Sequence, residues 1–240
     1  MTDSYAISID KLSKSYGKKL VIDDIDISIK SGQIFALVGL NGQGKTSLIK
    51  SILDLCSVDS GTIKIFDTIA SDHNARSGIS YLPEKFSPAK DIKAIEFLQF
   101  NQKLNSKKNL DIAIVKKLCQ QLALDFDLLN KKITSYSKGM VQKLGLIASF
   151  ISDSKLLILD EPMSGLDPLA RVNLRNVMQE YVADKNRTII FTSHILADIE
   201  KICQDIAILH NGKIKYSGKI KGLISGEDLS FEEKFLQIIS

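Results

Sequence analysis

The segment QIFALVGLNGQGKTSLIKSIL constrains this chain more than any other stretch of it. A short continuous apolar run, Gln33 to Leu40, has the pattern of a strand buried on both faces. It feeds directly into Gly39, Leu40, Asn41, Gly42, Gln43, Gly44, Lys45, Thr46 and Ser47, which match G-x-x-x-x-G-K-[ST], and a helical pattern follows. Strand before and helix after give the pattern its specificity. Gly39, Gly42 and Gly44 let the backbone wrap closely around phosphate oxygens with its N–H groups turned inward. The helix N-terminus adds the positive end of a dipole beneath them. Lys45 is long enough for β- and γ-phosphate oxygens, and the Thr46 hydroxyl suits Mg²⁺, which prefers oxygen ligands. A nucleoside triphosphate with its magnesium ion is the expected occupant.

Such a loop needs a carboxylate on the metal side, and KLLILDEP supplies it. Asp160 closes a second buried strand, where it meets the metal shell. Glu161 follows at once. Alternation along a strand is expected to point the two carboxylates in different directions. Asp160 then serves the metal, and Glu161 faces the attacking water as general base or water-orienting group.

Around these motifs the chain alternates strand and helix, the order of a parallel α/β sheet with right-handed crossovers. AISIDKLSKSYG and VIDDIDISIK alternate apolar and polar positions as half-buried strands do, and TIKIFD adds another short strand. Together with the late strands DIAILHNGKIKYSG, folded back at Asn211-Gly212, they are expected to form a second, smaller antiparallel sheet. From Pro83 to about Ser152 the spacing turns helical in IKAIEFLQFNQKL, LDIAIVKKLCQQLAL and MVQKLGLIASFI. Helices follow in PLARVNLRNVMQEYVAD and ILADIEKIC, with RTIIFTSH as a strand between them, and LSFEEKFLQI closes the chain as an amphipathic helix. The expected division is one domain over 1–240: a nucleotide-binding core with its antiparallel part over 1–82 and 153–225, a helical insertion over 83–152, and a tail helix over 226–240.

Bulk properties exclude some functions. A net charge of +4 from 32 basic and 28 acidic residues is too mild to argue for nucleic acid, and none is expected as a partner. The pairs Lys18-Lys19, Lys107-Lys108, Lys116-Lys117 and Lys131-Lys132 read as solvated surface. Three cysteines, odd in number and far apart, read as small buried hydrophobes in a reducing compartment. No apolar run approaches the ~20 residues of a membrane span, and no secretory signal pattern opens the chain. The expected location is the cytoplasm. His73 and His210 are expected at the surface.

The ordered set Tyr16, GLNGQGKT, YLPE, YSKGM, LLILDEP, SGLD and TSH resembles the ATP-binding subunit of ABC transporters, and the resemblance spans nearly the whole chain. It implies a P-loop NTPase with a RecA-like, mainly parallel sheet core, a small antiparallel β-subdomain and an inserted helical subdomain. It also implies two subunits, identical or paralogous, that dimerise head to tail and trap ATP. Ser137 and Gly139 in YSKGM occupy the place of the signature that closes over the γ-phosphate held by the partner's P-loop. A hydroxyl beside a helix N-terminus is a donor cluster for anionic oxygen, which agrees. Lys138 and Met140 depart from the commonest signature, and SKGM with YLPE resembles the bacterial exporter-type branch. Lys138 either adds charge near phosphate or faces solvent.

The resemblance carries further residue by residue. Tyr16 corresponds to the aromatic residue that stacks on adenine. Glu84 stands where glutamine is usual and is expected near Mg²⁺, through water or directly. Asp167 corresponds to the loop aspartate linking the two subunits, and His194 to the histidine on the γ-phosphate. The insertion corresponds to the part that meets the membrane helices, with Phe86, Pro88 and the apolar face of IKAIEFLQF either lining that contact or serving as plain core. An integral membrane permease, encoded separately, is the implied partner, and the chain is then peripheral on the inner face of the cell membrane. A non-transport ABC ATPase, of the cluster-assembly or another soluble-partner type, is the alternative reading. A P-loop kinase leaves YSKGM, SGLD and TSH without a purpose.

Overall fold

The structure, a computed structural model, describes residues 4–106, 109–184, 187–224 and 229–240. The Lys107-Lys108 pair lies outside these residues. Two antiparallel strands open the chain, β1 (Tyr5–Tyr16) and β2 (Lys19–Lys30), followed by β3 (Ile34–Val38) and α1 (Lys45–Ile52). Then come β4 (Ser60–Ile65), β5 (Thr68–Ile69) and β6 (Ile79–Leu82). The helices α2 (Ala94–Ser106), α3 (Ile112–Gln121) and α4 (Lys138–Phe150) intervene before β7 (Leu156–Leu159). The chain continues through α5 (Pro168–Ala183), β8 (Thr188–Ser193) and α6 (Leu196–Ile202). It finishes with β9 (Asp205–His210), β10 (Lys213–Lys219), α7 (Ile220–Leu223) and α8 (Phe231–Ile239).

Two sheets organise these elements. The larger has the order β10-β9-β3-β8-β7-β6, and the smaller β2-β1-β4-β5. In the larger sheet every pairing except β10 with β9 is parallel. Strand alternation explains why its central strands are continuous apolar runs. Ile34, Ala36, Val38, Leu157, Leu159, Ile189, Phe191, Ile206 and Ile208 enter a core shared with α2 to α8. Their neighbours Phe35, Leu37, Leu156, Ile158, Ile190, Ala207 and Leu209 enter a second core shared with α1 and the smaller sheet.

The late strands correct an expectation. They do not join the smaller sheet: β9 lies parallel against β3, and β10 pairs with β9 as the edge of the larger one. The reason is the run Ile206–Leu209, buried on both faces and therefore suited to a central strand. Their turn is as expected, with Asn211 at φ 50° and Gly212 at φ 74°. A short strand that the apolar pattern did not suggest, β6, forms the other edge. IKAIEFLQF and the rest of α2 divide between core and surface. Ala94 and Leu98 are core, whereas Phe100 and Leu104 are 62% and 68% exposed. Among the described residues no helix is long and apolar enough to cross a membrane.

Topology does the work of gathering. β3, β8, β7 and β6 are adjacent and parallel, so their C-terminal ends share one rim. Val38 pairs with Ser193, Phe191 with Leu159, and Leu159 with Leu82. The segments that leave these ends are Gly39–Ser47, His194, Asp160-Glu161 and Pro83-Glu84. The crevice beyond the carboxyl ends of such strands is where open α/β sheets bind ligands.

Candidate active site

Gly39 to Ser47 wraps between β3 and α1, and close packing sets its shape. A Cβ on Gly39 would stand 2.4 Å from the Leu209 carbonyl oxygen, and one on Gly44, at φ 107°, would stand 2.9 Å from the Val21 carbonyl oxygen. Only glycine fits both places. Gly44 is also the N-cap of α1 and offers no side-chain acceptor, so the first-turn N–H groups of that helix stay turned toward the pocket. Gln43 anchors the crest of the loop: its side-chain oxygen accepts the Asn211 N–H at 2.6 Å. The loop, with Glu84, Asp160 and Glu161, lines a pocket of about 310 Å³.

The charged groups of the pocket are connected. Lys45, 6% exposed, donates through Nζ to the Gly39 carbonyl at 2.7 Å and the Leu40 carbonyl at 3.2 Å. The same Nζ stands 3.3 Å from Glu161 Oε1. That oxygen is buried and has the ion pair but no hydrogen bond. Glu161 Oε2 meets His194 Nδ1 at 2.9 Å. Glu161 therefore bridges a buried ammonium and a half-exposed imidazole. Thr46 donates its hydroxyl to Asp160 Oδ2 at 2.8 Å. A hydroxyl and a carboxylate side by side, with no nitrogen or sulfur ligand, fit Mg²⁺, which completes its shell with phosphate and water.

Sequence reasoning missed Thr192. It sits in β8 beside β7, wholly buried. Its hydroxyl donates to Asp160 Oδ1 at 2.6 Å and accepts the Glu161 N–H at 2.7 Å. The only sequence signal was its place in TSH. Its bond also bears on a correction. The carboxylates of Asp160 and Glu161 do diverge, but strand alternation is not the cause. β7 ends at Leu159, and Glu161 takes a left-handed backbone, φ 49°. The Thr192 hydroxyl is the partner of the N–H at that kink. At the end of β8, Ser193 Oγ accepts the Ile195 N–H at 3.0 Å, and Asp198 in α6 is clasped by Arg171 and Arg175 of α5. These contacts fix the chain that presents His194.

The remaining candidates lie around this centre. Tyr16 ends β1, is 45% exposed and is absent from the pocket wall. The interaction with Cys56, more than burial, holds the phenol above its ordinary pKa. Glu84 is exposed and borders two grooves, the pocket just described and a second one with Lys138, Gln142 and Gly165. Among the described residues no hydrogen bond joins it to Thr46 or Asp160. Burial, reinforced by the charges of Asp160 and Glu84, pushes the neighbouring Tyr81 up to about 12.

Ser137 and Gly139 stand outside the P-loop pocket of their own chain. Ser137 is the N-cap of α4, with Oγ accepting the Met140 N–H at 3.2 Å, which leaves its own O–H free to donate outward. Gly139 faces the Gly165 carbonyl, whose oxygen would be 3.6 Å from an added Cβ. Asp167 caps α5 by accepting the Ala170 N–H at 2.9 Å, and that bond first of all holds its carboxyl below the usual range. His73 is exposed as expected; His210 is not fully so, with a buried Nδ1. Cys119 and Cys203 are buried, whereas Cys56 is half-buried.

Residues 22–164 match the ABC transporter family. An uncharacterized ABC transporter ATP-binding protein of Synechocystis is 34% identical over 215 residues, which cover 87% of this chain and 59% of that protein. The bacitracin transport ATP-binding protein BcrA of Enterococcus faecalis is 33% identical over 216 residues, 89% of this chain and 69% of that one. The chain thus spans only part of the length of these relatives. A solved ATP-binding subunit of an ABC transporter superposes with a TM-score of 0.87 at 30% identity, covering 98% of this chain and all of that one, 100%.

Proposed function

The chain belongs to the ABC transporter family, and we propose that it is the ATP-binding and ATP-hydrolysing subunit of an exporter whose permease is a separate membrane protein. The observation that carries this reading is the connected set at one rim: Lys45, Glu161 and His194 in contact, with the Thr46–Asp160 pair beside them. In this reading Lys45 exchanges its carbonyl partners for β- and γ-phosphate oxygens, and the N–H groups of Gly42 to Ser47 hold the rest of the triphosphate. Thr46 and Asp160 would hold Mg²⁺, which when bound neutralises charge on the transferring phosphoryl group. Glu161 orients the attacking water and takes its proton, and His194 steadies that carboxylate. Tyr16 stacks on adenine. Ser137 and Gly139, which lie outside their own pocket, act in trans on the ATP of a second copy or a paralogue, with Asp167 at the same interface. Catalysis is then largely positioning and charge stabilisation. Export agrees with the SKGM variant and with the printed name of the bacitracin transport relative.

The test is recovery of tagged Glu161→Gln chain from detergent-solubilised native membranes in Mg-ATP, followed by mass spectrometry. A polytopic membrane protein in near-equal amount is the expected outcome. A soluble partner with nothing polytopic would overturn the transporter assignment and favour a non-transport ATPase.

A further inference from the structure

One face of the Tyr16 ring is covered by its own chain. Lys14 and Tyr16 are two residues apart on β1, the spacing that puts both side chains on one face of a strand. Lys14 Nζ lies 4.9 Å from the centroid of the Tyr16 ring. The Lys14 side chain is only 8% exposed, whereas Tyr16 is 45% exposed. Asp59 is the countercharge, at 3.9 Å, which is an ion pair beyond hydrogen-bond distance. A buried ammonium ordinarily gathers hydrogen bonds. This one lies against a π face instead, where loss of water strengthens the attraction. At the far end of the ring, interaction with Cys56 raises the pKa of the phenol.

From this geometry we infer that Lys14 is a positioning residue for the nucleotide base. It covers one face of Tyr16 and fixes the ring, so a single aromatic face remains for a purine. The cation also draws π density to its own side. The opposite face becomes less electron-rich, which favours offset stacking against an electron-rich base. A ring already fixed loses little side-chain entropy when the base arrives. This inference rests on the reading of Tyr16 as the base-stacking residue, and it adds what sets the strength of that stack.

Calorimetric titration of the full chain without Mg²⁺, using ATP and inorganic tripolyphosphate as separate probes, tests it. Lys14→Met should weaken ATP about fivefold, the scale of a desolvated cation–π contact, and leave tripolyphosphate unchanged. Lys14→Arg, whose guanidinium stacks on a tyrosine face, should restore ATP binding. Lys14→Gln, similar in polarity but uncharged, should behave as Lys14→Met and serves if the methionine variant does not fold. Equal weakening of both probes by the uncharged variants would assign Lys14 a purely structural role and overturn the proposal. Unchanged ATP affinity would overturn it as well. Tyr16→Ala separates the premise from the inference. If that variant leaves ATP affinity unchanged, the base-stacking role of Tyr16 itself fails. If it weakens ATP while the Lys14 variants do not, only the role of Lys14 fails.

Discussion

Thr192 shows how much a single hydroxyl can set. It has one proton and two acceptor positions, and the structure uses the proton on Asp160 and an acceptor position on the Glu161 N–H. One residue thereby orients the carboxylate assigned to the metal and the backbone of the residue assigned to water. Thr192→Val removes the hydroxyl while keeping the branched shape that β8 packs. It leaves two buried polar groups without this partner, so a loss of about 2 kcal/mol in denaturant melts is expected. Turnover should fall by about 10–100-fold, the usual cost of losing a group that orients a metal ligand. Unchanged turnover in a stably folded variant would mean that Asp160 and Glu161 hold their places unaided. Lys45 illustrates the same economy in a different way. Its ammonium already sits among carbonyls and a carboxylate, so phosphate binding replaces partners and does not desolvate a free charge.

Helix ends differ in how their first N–H groups are used. α1 starts without a side-chain cap, and α4 starts with one, Ser137. An uncapped start keeps N–H groups for phosphate within the chain's own pocket. A capped start stabilises α4 and still offers the Ser137 O–H outward. These two contributions can be separated. Ser137→Ala loses cap and donor together and should cost about 1 kcal/mol of stability. Ser137→Asp keeps the cap but puts a negative charge where the reading places γ-phosphate. In a Glu161→Gln background, Ser137→Asp should melt close to its parent yet fail to form the Mg-ATP dimer in light scattering. A dimer that persists would remove Ser137 from the trans contact. The anchoring of Gln43 on the β9–β10 turn belongs to this scale too, since it ties the loop between β3 and α1 to an element far along the chain.

At the scale of the molecule, burial couples folding to alkaline pH. Tyr81 in β6, Tyr136 before α4 and Tyr181 in α5 are each pushed up to about 12 from 10.0, in every case first by burial. The folded-state value is raised, so the stabilisation is fully present below pH 10 and is lost as pH climbs toward 12. Tyr136 donates to the Leu128 carbonyl at 2.9 Å and Tyr181 to the Ser154 carbonyl at 2.6 Å, so ionisation also breaks two bonds that tie separate elements together. The share of tyrosinate absorbance from Tyr81, Tyr136 and Tyr181 should therefore rise between about pH 10 and 12, together with the loss of helical circular dichroism. Ionisation of these tyrosines near 10 with circular dichroism unchanged would contradict the assigned burial.

Read from the amino acids alone, the chain announced a phosphate loop, a metal-side carboxylate after a buried strand, and an α/β order with helices between residues 83 and 152. These are local properties. Glycine at forced backbone angles, apolar runs and helical spacing act over a few residues and need no distant partner. Other features needed the folded sheet. The run Ile206–Leu209 carried the signal of a central strand, but only strand order placed it beside β3 and took it out of the smaller sheet. β6 has four residues, too few for a periodic signal, and its pairing with β7 makes it an edge. The kink at Glu161 and the bond from Thr192 depend on which side chains the register brings face to face. Thr192 and Glu161 are 31 residues apart in sequence and 2.7 Å apart in space. Residue chemistry states what a hydroxyl or an ammonium can do, and the tertiary structure decides for which partner it does so.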